Sequence, residues 1–290
     1  MTERFIIGIG SQRAGTTLLH SLLSDTSNAF MHPVKELHYF DTLYGIRDPS
    51  ALREFSMRQL KREVNRIVSN SDLTFASKRR YKCMLRTTML LASTPLANIE
   101  YRDLFRPFLS RKQPLGEITP EYMLLNEDQA TQLRNVVGED ATIILLRRDP
   151  IDRLLSAAKL FNVYNNLNMD QNELAAWLNR MLDEESSWIQ AQDKYNDYKR
   201  ATRIFGMLFP RFIAIDYEEL VCKPKDVAKR ISELAEIQID SDSFAERSVN
   251  RKNSLGEQEL TSPALSGRLR ERYKEYEDNN DRRALCSPAM

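Results

Sequence analysis

The feature that most constrains this chain lies at its start, where an apolar strand runs into a polar glycine loop and then into a helix. Phe5 to Ile9 reads as a short buried parallel strand, and Leu18, Leu19, Leu22 and Leu23 recur at helical spacing. Between them stands Ser11-Gln12-Arg13-Ala14-Gly15-Thr16-Thr17. At such a junction the backbone N–H groups of the first helical turn converge, and the helix dipole favours negative charge there. Gly15 lets the backbone approach a bound phosphate, Thr16 and Thr17 add hydroxyl donors, and Arg13 adds a fixed positive charge.

The rest of the chain continues the same alternation. Pro114 to Ile118, Ala141 to Leu146 and Arg211 to Asp216 read as further strands. Between them, helices are expected over residues 50–70, through much of 75–111, from an Asn126 cap to about Val137, from Pro150 onward, over 170–205 and from Pro224 to Glu236. Strands separated by helices predict an α/β fold with a mainly parallel central sheet, helical insertions and ligands at the carboxyl ends of the strands. A chain of 290 residues with 42% apolar content is expected to form a single domain over 1–290, with a charged C-terminal helix at about 263–280 as an appendage.

Composition narrows the function. The formal charge of +1, from 42 basic and 41 acidic residues, offers no bulk attraction for nucleic acid, so any anion site is local. Three widely spaced cysteines suggest neither a disulfide framework nor a zinc site, and three histidines without metal spacing argue against a metal. No membrane span or signal peptide is legible. The expectation is a cytoplasmic, most simply bacterial, protein.

A second junction asks for an anion too. The strand ending at Leu146 leads into Arg147-Arg148-Asp149-Pro150-Ile151-Asp152-Arg153-Leu154-Leu155-Ser156. Asp149 suits a helix cap, Arg148 supplies forked donors that match a phosphate, and Ser156 follows about two turns later. Arg153 has Asp149 or Glu139 as candidate partners. A third stretch, Lys35-Glu36-Leu37-His38-Tyr39-Phe40-Asp41, collects groups able to move a proton.

The first loop is not an ATP-binding P-loop, because Thr16 stands where that motif places its lysine. Its order of basic residue, any residue, Gly, Thr, Thr resembles instead the loop of sulfotransferases that holds the 5′-phosphosulfate of PAPS (3′-phosphoadenosine 5′-phosphosulfate). Arg-Asp-Pro-x-x-Arg-x-x-Ser resembles the element of that family that binds the 3′-phosphate. Glu-x-His-Tyr-Phe-Asp is similar to the matching stretch of the heparan sulfate glucosaminyl 3-O-sulfotransferases and their bacterial relatives, while arginine in the loop is shared with tyrosylprotein sulfotransferases. Glu117-Ile118-Thr119-Pro120-Glu121-Tyr122 resembles the Lys-Thr/Ser-Pro-x-Tyr segment, with Ile118 in place of the lysine.

The resemblance implies a P-loop NTPase-like three-layer fold and a PAPS-dependent transfer of sulfuryl to a hydroxyl, most simply of a carbohydrate or glycolipid, without a metal. It implies that Ser11, Gln12, Arg13, Ala14, Gly15, Thr16 and Thr17, with Arg148, Ser156, Arg251 and Lys252, hold the cofactor. Glu36 would be the base, with Arg13 and His38 also catalytic, and Lys35, His38, Asp41 and Tyr122 would meet the acceptor. Glu117 and Glu121 are reserve carboxylates. A Mg-ATP-dependent small-molecule kinase and a non-catalytic nucleotide-binding protein are the alternatives.

Overall fold

A computed structural model describes residues 3–106, 108–109, 112–250 and 263–274. Five strands form one sheet: β1 (Phe5–Gly10), β2 (Phe30–Met31), β3 (Leu115–Ile118), β4 (Thr142–Arg147) and β5 (Phe212–Asp216), in the order β2-β3-β1-β4-β5, every neighbouring pair parallel. The helices are α1 (Thr16–Thr26), α2 (Tyr39–Leu43), α3 (Pro49–Ser69), α4 (Thr74–Ser77), α5 (Arg79–Ser93), α6 (Glu127–Val137), α7 (Pro150–Tyr164), α8 (Gln171–Asp183), α9 (Ser187–Asn196), α10 (Tyr198–Leu208), α11 (Tyr217–Cys222), α12 (Pro224–Ala235), α13 (Ser241–Asn250) and α14 (Pro263–Tyr273).

Strand periodicity explains the layering. On β1, Phe5, Ile7 and Ile9 enter the core with α2, α5, α6 and α10, while Ile6 enters a second core with α1 and α12. β4 divides in the same register, Ile143 and Leu145 to the first core, Ile144 and Leu146 to the second. Successive side chains on a strand point to opposite faces, so a sheet with helices on both sides needs continuous apolar strands.

After β1 the chain moves to the β2–β3 side of the sheet, and after β4 it moves to the β5 side. A crevice therefore opens between the carboxyl ends of β1 and β4, where an open α/β sheet binds ligands. Both junctions read from the sequence end there.

The structure departs from the sequence expectations in several places. β2 has only two residues, too few for a periodic signal. The helix expected over 50–70 forms as α3, but only Leu52 and Ser56 are buried on it, and Val64 and Val68 are exposed. α14 does not stand off as an appendage: Leu265, Leu269 and Tyr273 join Leu154, Trp177, Leu178 and Ile189 in a third core. Cys83 is a buried free thiol. Among the described residues no helix is long and apolar enough to cross a membrane.

Candidate functional site

The β1–α1 junction is shaped by its backbone. Arg13 and Gly15 both have positive φ, 69° and 91°. Gly15 occupies the cap position of α1, where a side chain would normally accept an amide proton and none does. A Cβ on Gly15 would lie 2.6 Å from the Tyr217 ring, so glycine is required by space as well as by conformation. Ala14 and Thr16 are buried and Thr17 is exposed. Ser11 is fully buried, and its hydroxyl donates to the Tyr195 carbonyl (2.7 Å), so its side chain braces the loop from beneath. The Gln12 amide reaches Glu121 Oε1 at 3.5 Å.

The β4–α7 junction is satisfied differently. The Asp149 carboxylate accepts from the Ile151 and Asp152 amides, so the first turn of α7 is capped from within the chain. What this junction offers is side chains. Arg13 Nε donates to Ser156 Oγ (3.0 Å), and Arg148 Nη1 donates to the Arg13 carbonyl (3.3 Å). The Arg148 guanidinium lies 4.9 Å from the centre of the Tyr217 ring. Arg153 does not pair with Asp149 or Glu139 through its side chain. It is fully buried and donates to Asn196 Oδ1, Gln192 Oε1 and the Gln192 carbonyl, all uncharged acceptors. Burial lowers the Arg13 pKa, and the charges of Arg148 and Arg153 lower it further. Arg13 in the field of two further guanidinium groups, one of them buried against neutral acceptors, fits an anion.

Opposite them stands the segment after β2. His38 has φ 50° and ψ 36°, and its ring Nδ1 lies 2.8 Å from Asp41 Oδ2, its Nε2 3.5 Å from Glu36 Oε2, with Glu121 Oε2 3.7 Å from Nδ1. Burial alone would lower the His38 pKa, but the hydrogen bonds to Asp41 and Glu36 win and raise it to about 9. Burial alone would raise Glu36, yet His38 and Lys35, which pairs directly with it, hold it at about 2. Burial raises Glu121 against the pull of His38. His20 and His32, by contrast, are pushed by burial down to about 4 and stay neutral. Glu36, His38 and Glu121 bring ligand-type atoms within 4.8 Å of one another. A cation there would compete with the His38 proton that Asp41 and Glu36 favour.

The tertiary structure thus brings Arg13, Arg148 and Ser156 together on one side and Lys35, Glu36 and His38 on the other. The negative charge of Glu36 is felt at Arg13. Asp41 and Tyr122 are both fully buried, Tyr122 donating to Glu117 and accepting from the Tyr39 amide, which places them under the segment and not on a face open to an acceptor. Arg251 and Lys252 lie outside the described residues. Tyr217 and Tyr195 carry no sequence signal for a site. Tyr217 directly follows β5 and Tyr195 sits on α9, and each reaches the loop only through the fold.

A profile described as the Sulfotransferase family matches residues 5–241. Among solved structures, a sulfotransferase from Alicyclobacillus acidocaldarius is 16% identical with TM-score 0.52, covering 100% of this chain and 97% of that one. The sulfotransferase STF9 from Mycobacterium avium is 17% identical with TM-score 0.52, covering 97% of this chain and 78% of that one. At such identity these two speak for the fold alone. A search of curated protein sequences matches none.

Proposed function

The chain belongs to the sulfotransferase family, and from that membership we propose that it transfers a sulfuryl group from PAPS to an acceptor hydroxyl across the crevice between β1 and β4. The observation that carries this reading is the meeting of the two junctions, Arg13 Nε on Ser156 Oγ at 3.0 Å with Arg148 against the Arg13 carbonyl. Two independent strand-to-helix elements converge on one place, and both are built for an anion. PAPS, when bound, supplies the sulfuryl group and carries phosphates at both ends of its ribose.

In this reading residues 11–17 cradle the 5′-phosphosulfate with backbone amides of α1, and Arg148 and Ser156 hold the 3′-phosphate. Strand, loop and helix would then form a P-loop-like site in which Arg13 stands in for the missing lysine. Its role is to meet charge that grows as the transferring bond breaks. Glu36 takes the acceptor proton. Lys35 and His38 keep it ionised at rest, and a carboxylate so strongly paired is a weak base. His38, clamped by Asp41, is the second proton carrier.

The acceptor class rests on the Glu36-x-His38-Tyr39-Phe40-Asp41 resemblance and is a carbohydrate or glycolipid hydroxyl. Calorimetry with adenosine 3′,5′-bisphosphate against Mg-ATP tests the nucleotide. Tight binding of the bisphosphate and none of Mg-ATP is expected, and the reverse result would make the protein a kinase. Incubation with radiolabelled PAPS and glycan or glycolipid acceptors tests the transfer.

A further inference from the structure

Glu117 is a fully buried carboxylate on β3, on the face of the sheet that carries Leu115 and the aromatic core of Tyr101, Tyr122 and Phe40. Removing a charge from water into such a core costs several kcal/mol unless hydrogen bonds compensate it. Four donors do so here. Tyr122 OH (2.7 Å) and Tyr101 OH (3.1 Å) donate to Oε1, while Thr119 Oγ1 (2.6 Å) and the Leu37 amide (3.4 Å) donate to Oε2. Two of these hydroxyls are themselves acceptors. Thr119 Oγ1 takes the His38 amide (3.4 Å), and Tyr122 OH takes the Tyr39 amide (3.1 Å).

Three consecutive amides, those of Leu37, His38 and Tyr39, therefore end on Glu117, the first directly, the second through the Thr119 hydroxyl and the third through the Tyr122 hydroxyl. We infer that Glu117 is the positioning residue of the proton-handling segment, its carboxylate setting the backbone from which the His38 ring is aimed between Asp41 and Glu36. The inference rests on the reading of Glu36 and His38 as the groups that handle the proton.

The backbone needs such a support. His38 sits in the left-handed region, which a residue with a side chain occupies only when its surroundings over-determine it. Through the Ile118 amide, which donates to the Lys35 carbonyl (3.4 Å), β3 also grips the start of the segment. The geometry demands an acceptor at both oxygens of residue 117. A glutamine there would set its amide hydrogens against N–H and O–H groups that already donate, and the set of bonds to the segment would have to change. Burial raises the Glu117 pKa to about 7 against the lowering effect of these donors, which agrees with a carboxylate placed for its bonds and not for solvation.

The test uses the full chain labelled with ¹⁵N-histidine, which gives only three ring systems, His38 being assigned by its absence in His38→Gln. In Glu117→Gln the His38 ring signals should move while those of His20 stay. Turnover with PAPS should fall by about a hundredfold, the scale of a small misplacement of reacting groups, with affinity for adenosine 3′,5′-bisphosphate unchanged. Thr119→Val should give a weaker form of the same pattern, and Thr119→Ser, which keeps the hydroxyl, should restore it. If Glu117→Gln does not fold, Thr119→Val and Tyr122→Phe carry the same measurements. Unmoved His38 signals would overturn the inference, as would turnover and bisphosphate affinity falling together, because Glu117 would then only hold the fold. The ring signals report on Glu117 even if wild-type protein neither binds the bisphosphate nor transfers sulfuryl, a result that would sink the functional reading alone.

Discussion

The two halves of the crevice differ in how their charges are arranged: guanidinium groups gather on one side, and mixed charges pair on the other. On the β1–α1 and β4–α7 side, Arg13 lies in the field of Arg148 and Arg153, and Arg153 is held by uncharged acceptors. On the β2–β3 side Lys35 lies on Glu36, and His38 stands between Asp41, Glu36 and Glu121. In the proposed reading an anionic donor brings its own negative charge to the arginine half. A proton has to be kept on a chosen atom beforehand, so its half is neutralised from within. Variants on the arginine side should therefore act through affinity or through charge on the donor, and variants on the other side through turnover alone.

The largest effect expected is that of Glu36→Gln, which keeps size and reach but cannot take a proton. Turnover should drop about a hundredfold to ten-thousandfold, the scale of a lost general base, with bisphosphate affinity and thermal stability near wild type. A parallel loss of affinity in calorimetry would break the division between the halves. Should Glu36→Gln stay active while His38→Ala is dead, the base is His38.

Arg13→Ala comes next, at about a hundredfold to a thousandfold in turnover, the range for one lost donor to developing charge. Affinity for the sulfate-free bisphosphate should fall less. Arg13→Lys sharpens the point: substantial activity means a point charge suffices, and little means the planar fork, already bound to Ser156, positions the reacting group. Steady-state kinetics beside calorimetry separates these outcomes.

Arg148→Ala should weaken adenosine 3′,5′-bisphosphate by about 1.5 to 3 kcal/mol, as for a charge-assisted hydrogen bond. Adenosine 5′-phosphosulfate, which lacks the 3′-phosphate, is the control and should change little. Equal losses for both ligands would mean that Arg148 acts through the Arg13 carbonyl and the Tyr217 ring, as a brace for the loop. Ser156→Ala should repeat the pattern more weakly, because it removes a neutral donor.

The smallest effect is on stability against pH. The His38 pKa in the folded protein, about 9, lies above its ordinary 6.5 because Asp41 and Glu36 outweigh burial. Its contribution to stability is therefore complete below about pH 6.5 and fades as pH rises through about 9. His20 and His32, lowered to about 4 by burial, act in the other direction: the unfolded chain takes up their protons first, so stability drops as pH falls from 6.5 toward 4. The melting-temperature gap between wild type and His38→Gln should narrow on the alkaline side. A gap independent of pH would show that the ring is not held charged.

The arginine half was the more legible of the two. Residues 11–17 and 147–156 each carry their whole signal within one strand-to-helix turn, and Asp149 and Asn126 cap helices where their spacing says they should. The helix over 50–70 was legible as a helix, but its buried side was not, because α3 packs chiefly on α5 and leaves Val64 and Val68 in solvent. Arg153 has acids near it in sequence, yet its partners come from α9. Glu36 and His38 could be nominated from their residue types, whereas Glu117 and Glu121 remained only carboxylates near a strand end.

The sequence by itself determined what depends on neighbours a few residues away: most of the strands and helices, though not β2 or α13, and caps such as Asn126 and Asp149. Only the tertiary structure decided the strand order that sets the two junctions side by side, and the groups that give His38 and Glu36 their opposed proton affinities. Backbone preference and hydrophobic period are local quantities. Desolvation and Coulomb fields are set by whatever the fold brings within a few ångströms, here Glu117 against an amide eighty residues away in the chain.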